Sequence, residues 1–300
     1  MVPAVPFPFD LAVLAFPDVD PVAFSLGPVS VHWYGLGYLV GLVFAYWFAR
    51  LLVSRSTLWA PYPSPIRRAE IEDFLVWAAI GVIVGGRLGY VLFYNAPFYL
   101  ANPLEIIAIW DGGMSFHGGA LGVILAMILY ARHMGFSAYS LMDVVSISSC
   151  VGIGVVRVAN FVNAELYGRP TDVAWAMRFP DGRGGVTEPR HPSQLYEAAL
   201  EGAVLFAVLC VLVFAFHKLR QPGFIGGAWV FGYGAARIFV EFFRQPDAHI
   251  GYLYADLLGG EWFTRGMMLS IPMLLVGTWG MATAARRQPW RHARPEPEPA

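Results

Sequence analysis

The sequence predicts an all-α membrane protein with about seven transmembrane helices and a small extracytoplasmic head between helices 4 and 5. The 300 residues are 57% hydrophobic and only 14% charged, whereas soluble domains carry about 25% charged residues. The 22 Phe, 14 Tyr and 10 Trp are typical of a chain with long interfaces to lipid. The formal net charge is -1, and no basic block indicates a nucleic-acid partner.

The N-terminal stretch MVPAVPFPFDLAVLAFPDVDPVAFS is interrupted by prolines and has no basic region at its start. A cleavable signal peptide begins with such a basic region, so this stretch is not expected to be one. Residues 1–30 are instead expected to form an interfacial segment along the outer surface of the membrane.

Seven stretches approach the length of about 20 mostly apolar residues that a membrane-spanning helix needs. Residues 31–285 are therefore predicted to form one transmembrane domain. Within it, residues 161–192 are polar and glycine-rich and are predicted to form the extracytoplasmic head. Residues 286–300 are charged and proline-rich, which predicts a disordered cytoplasmic tail. The predicted spans are 31–52, 72–94, 114–133, 140–160, 194–216, 224–243 and 264–284.

The placement of basic residues predicts the orientation, because loops rich in Arg and Lys stay in the cytoplasm. One side of the seven-span arrangement holds most of these residues, whereas the other side holds few outside the head. The C-terminus is therefore expected in the cytoplasm and the N-terminus outside. The basic residues on the cytoplasmic side are Arg50, Arg55, Arg67, Arg68, Arg132, Lys218, Arg220, Arg286, Arg287, Arg291 and Arg294.

A charged stripe lies within the sixth predicted span. Tyr233, Arg237, Glu241 and Arg244 are spaced so that they share one helical face. A charged group at the bilayer centre costs about 2.5–3.5 kcal/mol on insertion scales, so this stripe indicates a functional site or a buried partner. The arginines predicted within or at the outer ends of helices 2, 4 and 6 are Arg87, Arg157, Arg237 and Arg244.

Four further polar clusters lie at the predicted outer ends of helices, where they are able to surround one cavity. They are GGRLGYVLFYN at 85–95, WDGGMSFHGG at 110–119, VRVANFVNAELYGRPT at 156–171 and HPSQLYEA at 191–198.

With these motifs the chain resembles the bacterial prolipoprotein diacylglyceryl transferases, from HWYGLGY at 32–38 to FFRQPDAHIG at 242–251. SFHGG, HPSQLYE and YGxxRxxxExxR match in the order of the family. The family signature G-R-x-[GA]-N-F-x-N-x-E-x-x-G is also present, with Val156 in place of its first glycine. Its remaining positions are matched by Arg157, Ala159, Asn160, Phe161, Asn163, Glu165 and Gly168.

The resemblance implies transfer of the sn-1,2-diacylglyceryl group of phosphatidylglycerol to the lipobox cysteine of a prolipoprotein, with release of glycerol phosphate. It implies the bacterial cytoplasmic membrane as location, the lipid bilayer and the prolipoprotein signal peptide as partners, and neither cofactor nor metal. The residues suit this chemistry. A free thiol has a pKa of about 8.5 and is mostly protonated near neutrality, so a base or a positive field helps. The leaving phosphate needs cations, and the planar guanidinium of arginine binds phosphate oxygens in pairs.

The resemblance also implies roles for individual residues. Arg157 and Asn160 would hold the headgroup, and Arg237 would stabilise the leaving phosphate with its guanidinium fixed by Glu241. His117 is the candidate general base, because histidine exchanges protons near neutral pH; arginines alone are the alternative source of the thiolate. The other candidate substrate-binding residues are Tyr34, Tyr233, Glu165, Gly168, Arg244, Asp143 and Arg87.

Structural interpretations stand beside these roles. Arg237 and Glu241 also fit a neutralised pair that only orients helices, and His117 also fits a residue that satisfies backbone groups at a helix start. Asn160 is equally suited to tying the head to the helices. Glu197 and Glu201 are interpreted as structural partners of Arg87 or Arg244, or as residues near the interface.

Other functions explain the motifs less well. A membrane transporter for an anionic solute is the main alternative, but it should place polar residues at the midplane and show two related halves. A lipid-binding scaffold would not need His117 together with paired arginines. An apolipoprotein N-acyltransferase would need a nucleophilic cysteine, whereas Cys150 and Cys210 lie in apolar helical runs typical of packing residues.

Overall fold

Long helices dominate the computed structural model, which describes residues 13–17, 19–181, 184–245 and 263–289. A π-helical segment, Ala198–Val204, joins two of these helices into one continuous helix. The helices are α1 Trp33–Ser54, α2 Ser56–Trp59, α3 Arg68–Phe93, α4 Ala96–Ala101, α5 Phe116–Met134, α6 Ala138–Val162, α7 Ser193–Glu197, α8 Leu205–Phe214, α9 Phe224–Glu241 and α10 Arg265–Ala284.

Each predicted span coincides with a long helix to within a few residues. Within the described residues, five helices are long and apolar enough to cross a membrane: α1, α3, α6, Ser193–Phe214 and α10. The all-α membrane class is thereby confirmed. Polar and small residues at helix ends lower the hydropathy of α5 and α9, the third and sixth predicted spans. Part of the predicted N-terminal segment (1–12) and most of the predicted tail (290–300) lie outside the described residues.

The chain divides into two compact units. Unit 1 draws on residues 1–45, 149–209 and 229–278, and unit 2 draws on the remainder. Five of the long helices contribute residues to both units. The charged stripe and the signature motif lie in unit 1, whereas the SFHGG motif lies in unit 2.

In unit 2, α3 and α5 touch backbone to backbone. A Cβ atom added at Gly85 would lie 2.8 Å from the Cα of Gly122, and one added at Gly89 would lie 2.7 Å from the Cα of Gly118. These glycines therefore serve the close packing of the two helices. Ser115 fixes the start of α5 because its hydroxyl accepts a hydrogen bond from the Gly118 N–H at 3.2 Å.

Unit 1 uses the same device to bring three helical segments together. A Cβ atom at Gly41 in α1 would lie 2.7 Å from the Cα of Gly152 in α6. A Cβ atom at Gly202 in the π-helical segment would lie 2.7 Å from the Cα of Gly154. These contacts leave no room for larger side chains, and they hold the C-terminal part of α6 against the segment that follows α7.

Two small sheets accompany the helices of unit 1. Strand β1 (Leu14–Ala15) pairs in parallel with β4 (Met177–Arg178), and β2 (Val22–Leu26) pairs antiparallel with β3 (Val29–His32). The region predicted as the head is mainly irregular, and aromatic rings form its core. Phe179 is fully buried there, and the ring centroid of Phe16 lies 5.3 Å from those of Phe161 and Phe179.

Candidate functional site

Six charged side chains of unit 1 form one arginine–glutamate network. Arg157 lies near the C-terminus of α6, and Arg237 and Glu241 lie one turn apart on α9. Glu197 ends α7, and Glu201 lies in the π-helical segment. The members of the network are Arg157, Arg237, Arg244, Glu197, Glu201 and Glu241.

Glu197 lies at the centre of this network. Its Oε1 is 2.5 Å from Nη1 of Arg237 and 3.9 Å from Nε of Arg244. Its Oε2 is 3.3 Å from Nε of Arg157. The carboxylate is completely buried, so one buried negative charge is shared among three guanidinium groups. The predicted contact of Glu197 with Arg244 is confirmed, whereas Arg87, the other predicted partner, donates to backbone oxygens instead. Glu197 also contacts Arg157 and Arg237.

Glu241 contacts two of the same arginines, Arg237 and Arg244, through other nitrogen atoms. It forms the predicted ion pair with Nη2 of Arg237, and its Oε1 lies 3.4 Å from Nη1 of Arg244. The hydroxyl of Thr264, just before α10, donates a hydrogen bond to Oε2 at 2.6 Å. Glu241 therefore links α9 to the start of α10 while it fixes Arg237. No sequence motif pointed to Thr264.

The third carboxylate of the network, that of Glu201, makes fewer polar contacts than the other two. Glu201 is completely buried, and its ion-pair contact is Nη2 of Arg157 at 3.6 Å, beyond hydrogen-bonding distance. Tyr233 lies next to both Arg157 and Glu201. The π-helical backbone around Glu201 is a rare conformation that occurs often at functional sites, and nothing in the sequence predicted it.

Exposure differs sharply between the two signs of charge. The glutamate side chains are 0–2% exposed, whereas Arg157, Arg237 and Arg244 keep 20%, 14% and 16% of their side chains exposed. The carboxylates thus hold the guanidinium groups from the buried side. Part of each arginine side chain stays exposed, and the network as a whole balances three positive charges against three negative charges.

The signature motif folds around Glu165 at the end of α6. The amide of Asn160 donates a hydrogen bond to Oε1 of Glu165 at 2.7 Å, and the amide of Gln194 donates to its backbone oxygen at 2.6 Å. The hydroxyl of Ser193 donates to the backbone oxygen of Leu166 at 3.0 Å. Leu166 has a φ of 57°, a left-handed conformation that is costly for leucine. The contacts of Asn160 are those of a residue that ties the head to the helices.

An open cavity of about 660 Å³ adjoins this motif. Asn163 and Glu165 form one part of its lining, and Ser30 to His32 of β3 form another, followed by Tyr34 and Gly35 at the start of α1. Tyr34 also lies within electrostatic range of Arg157 and Glu165. The cavity is therefore built next to the residues that the sequence singled out.

The head is fastened to the end of α9 by backbone contacts. The N–H of Gly168 donates to the backbone oxygen of His191 at 2.8 Å, and a Cβ atom at Gly168 would lie 2.8 Å from the Cβ of His191. Arg169 donates to the backbone oxygens of Arg244 at 2.9 Å and of Glu241 at 3.1 Å. Gly168 thus permits a close approach, and Arg169 satisfies carbonyls at a helix C-terminus. Sequence reasoning did not single out Arg169, although it lies in the motif.

His191 connects the head to α7. Its Nδ1 lies 3.0 Å from the hydroxyl of Tyr196, which also accepts a hydrogen bond from Nε1 of Trp175 at 2.6 Å. The ring of Phe243 packs 5.1 Å from the imidazole, centroid to centroid. Burial among these groups lowers the pKa of His191 below its ordinary value of 6.5.

Arg87 lies in unit 2 and is committed to backbone oxygens. Its guanidinium donates to the carbonyl groups of the segment between α4 and α5, and its plane lies over the ring of Tyr99. A guanidinium has five N–H donors, and the five contacts equal that number. These contacts are those of a structural clasp, and the substrate-binding role of Arg87 stays a prediction. The acceptors are the backbone oxygens of Glu105, Ile106, Ala108, Gly112 and Gly113.

Asp143 and His117 also belong to unit 2. Asp143 is completely buried and accepts hydrogen bonds from the N–H groups of Gly223 at 2.7 Å and Gly226 at 2.6 Å. It therefore caps the N-terminus of α9, the helix that carries Arg237, and its role in substrate binding stays a prediction. His117 is the second residue of α5 and is exposed, with its ring against Phe116.

Comparison with known proteins agrees with the motifs. A family model described as prolipoprotein diacylglyceryl transferase matches residues 21–283. Proteins of Brucella anthropi and Brucella canis, each named phosphatidylglycerol--prolipoprotein diacylglyceryl transferase, are 57% identical to this chain over 275 residues. The aligned region covers 92% of this chain and 95% of each relative. The chain belongs to the prolipoprotein diacylglyceryl transferase family.

Proposed function

We propose that this protein transfers the sn-1,2-diacylglyceryl group of phosphatidylglycerol to the lipobox cysteine thiol of prolipoproteins. The products are a thioether-linked lipid and glycerol phosphate, and the reaction is the first step of bacterial lipoprotein maturation. Phosphatidylglycerol and prolipoprotein are the substrates in the names of the relatives. The observation that carries the proposal is the arginine–glutamate network, in which three partly exposed guanidinium groups are held from behind by buried carboxylates.

The reaction exchanges one bond for another. The cysteine sulfur attacks the glycerol carbon that bears the phosphate, so that an S–C bond forms and the C–O bond to phosphate breaks. The electron pair stays on the phosphate oxygen, and the thiol proton passes to a base. The phosphodiester carries one negative charge, and the released monoester has room for a second. Charge therefore grows on the phosphate in the transition state, and fixed cations stabilise growing charge most effectively.

The network suits this task because its geometry is set before the lipid binds. Glu197 and Glu241 each pair with one Nη atom of Arg237, which fixes the orientation of its guanidinium. Their negative charges also keep the site near neutral when it is empty. An incoming phosphate then meets oriented donors without reorganisation, which is the condition for electrostatic catalysis.

The proposed roles follow this geometry. Arg157 and Arg237 bind the phosphate and stabilise its growing charge, and His117 accepts the thiol proton. Asn160 takes part in headgroup binding in addition to its contact with Glu165. The supporting residues around the lipid are Tyr34, Glu165, Gly168, Tyr233, Glu241 and Arg244, and Arg87 and Asp143 are the remaining candidates.

We further propose seven spans in the bacterial cytoplasmic membrane, with the N-terminus and the head (161–192) outside and the C-terminus in the cytoplasm. The distribution of basic residues supports this orientation. The proposed boundaries remain an outer interfacial segment 1–30, a transmembrane catalytic domain 31–285 and a cytoplasmic tail 286–300. Exposed apolar side chains on α1 and α3, such as Leu42 and Val76, suit contact with lipid.

One reconstituted reaction tests the function. Purified protein is incubated with phosphatidylglycerol vesicles and a lipobox peptide, and the peptide mass and free glycerol phosphate are measured. We expect the cysteine to gain one diacylglyceryl group for each glycerol phosphate released. A peptide with serine in place of cysteine, and vesicles of phosphatidylcholine, serve as controls. No mass gain with the complete mixture would contradict the proposal.

A further inference from the structure

The β2–β3 hairpin has a defined register that fixes which backbone groups point outward. Leu26 pairs with Val29 across the turn at Gly27 and Pro28, and Ser25 pairs with Ser30. In a hairpin with a two-residue turn, the pair next to the turn exchanges both hydrogen bonds, and the following pair exchanges none. The N–H and C=O groups of Ser30 therefore point away from β2. The sheet has two strands within the described chain, so no third strand covers this edge there.

The same alternation continues to the end of the strand. Val31 pairs with Phe24, and the N–H of Trp33 donates to the backbone oxygen of Pro21 at 3.1 Å. The backbone groups of residues 29, 31 and 33 thus point toward β2. Ser30 and His32 present their backbone groups on the outer edge.

The cavity lies along that outer edge. Ser30, Val31 and His32 all line it, although successive side chains of a strand point to opposite faces. Three consecutive residues border one space only when the space runs along the edge of the strand. The lining continues through Tyr34 and reaches Glu165 of the signature motif. The free edge of β3 therefore borders the cavity beside Asn163 and Glu165 of the signature motif.

We propose that this edge of β3 binds the prolipoprotein chain next to its cysteine, as an added strand in extended conformation. The inference rests on the proposed function, which requires a peptide beside the lipid. An extended peptide on a free strand edge gains backbone hydrogen bonds that do not depend on its side chains. An enzyme whose substrates share only a short motif is well served by this mode of recognition.

The two faces of the hairpin fit a peptide that arrives from the membrane. Ser25 and Ser30 form a polar face, where their hydroxyl groups lie 3.2 Å apart. Phe24, Leu26 and Val29 lie on the opposite face and are exposed. An added strand would continue both faces, with alternate side chains toward the apolar side and toward the polar side.

A matched pair of proline variants tests the edge. S30P removes the N–H that faces the cavity, and S25P removes the N–H on the opposite edge of the same hairpin. Both variants lose the same serine–serine contact, and an edge strand tolerates proline where no hydrogen bond is made. We expect S30P to raise KM for the peptide about five- to tenfold, the effect of about one backbone hydrogen bond. KM for phosphatidylglycerol should stay unchanged, and S25P should resemble the wild type in both constants.

A second measurement uses the wild-type protein and modified substrates. Lipobox peptides with a single backbone N-methyl group at successive positions are compared with the unmodified peptide. Strand pairing predicts that KM rises at every second position, because only alternate N–H groups face the enzyme. This measurement remains decisive if S30P does not fold.

The outcomes separate the two proposals. If the wild-type protein fails to modify the unmodified peptide, the proposed function itself is contradicted. If it modifies the peptide but S30P and S25P behave alike and N-methylation shows no alternation, strand addition is overturned and the function stands. A rise in KM for phosphatidylglycerol alone in S30P would assign the cavity to the lipid and overturn the peptide site.

Discussion

Glu197 places one carboxylate oxygen 2.5 Å from Nη1 of Arg237 and the other 3.3 Å from Nε of Arg157. The two arginines come from α9 and α6, so a single buried carboxylate sets the distance between the two cations expected to bind one phosphate. Removing its charge should therefore disturb the site without removing either arginine. The predictions below begin with this carboxylate.

Glu197→Gln keeps the size of the side chain but removes the shared charge. We expect kcat to fall about tenfold or more, because both guanidinium groups lose part of their fixed orientation. Peptide KM should change little. Glu188→Gln is the matched control, since Glu188 is 58% exposed and pairs with Arg190 in the head. Equal kinetics in the two variants would contradict a positioning role for Glu197.

Arg157→Lys keeps the charge but loses the planar, two-pronged donor. We expect a loss of activity of about a hundredfold, because lysine cannot contact Glu197, Glu201 and a phosphate together. Initial rates on phosphatidylglycerol vesicles measure the effect. Nearly full activity in the lysine variant would contradict two-pronged binding of the lipid headgroup by Arg157.

The pair Arg237–Glu241 is tested by changing both residues to glutamine. The double variant preserves size and removes one charge of each sign, so that neither partner is left buried alone. We expect folded but inactive protein. Thermal unfolding and lipid transfer are measured side by side, with Glu241→Gln alone for comparison. A folded and active double variant would show that the Arg237–Glu241 pair is not needed for catalysis.

His117→Gln distinguishes a general base from a structural residue by its pH profile. As the base, His117 is needed most near neutral pH, where the substrate thiol is mainly protonated. We therefore expect near-complete loss of activity at pH 7 and partial recovery at about pH 9. The rate relative to wild type is the quantity to follow, and a constant ratio across this range would favour a role in structure or binding.

His191 predicts a pH dependence of stability. Burial lowers its pKa in the folded protein below the ordinary value of 6.5, so the unfolded chain binds the proton more readily. Its contribution is complete above pH 6.5 and is lost as the pH falls below that value. Thermal unfolding in detergent should show a smaller decline between about pH 7 and 5 in His191→Gln than in the wild type. Identical declines would exclude His191 as the source.

The sequence predicted helix positions and helical neighbours well, because both depend on local periodicity. Hydropathy located the long helices, and the i, i+4 spacing of Arg237 and Glu241 predicted their ion pair. These features are encoded by residues close to one another along the chain.

Contacts with irregular backbone escaped prediction. The sequence did not predict that Arg87 donates hydrogen bonds to carbonyl groups 18 to 26 residues further along the chain, because the backbone of that segment has no periodic pattern. The π-helical turn that carries Glu201 has no sequence signal either. The hairpin depends on its strand register, and the cavity beside β3 depends on how β3 packs near the signature motif. Neither the register nor this packing could be predicted from the sequence alone.

The glycine-to-glycine contacts of unit 1 restrict how the protein can change over generations. Gly41 and Gly152, and Gly154 and Gly202, meet backbone to backbone. A methyl group at Gly41 or Gly202 would lie 2.7 Å from the facing Cα atom, too close for two carbon atoms, and would push the two segments apart. That separation would lengthen the distance between Arg157 and Glu197, which is 3.3 Å. Alanine at Gly41 or Gly202, a smaller chemical change than the loss of an arginine, should therefore be nearly as harmful. The glycine contacts therefore fix the distance between the charged side chains, and substitutions that would change this distance should not persist.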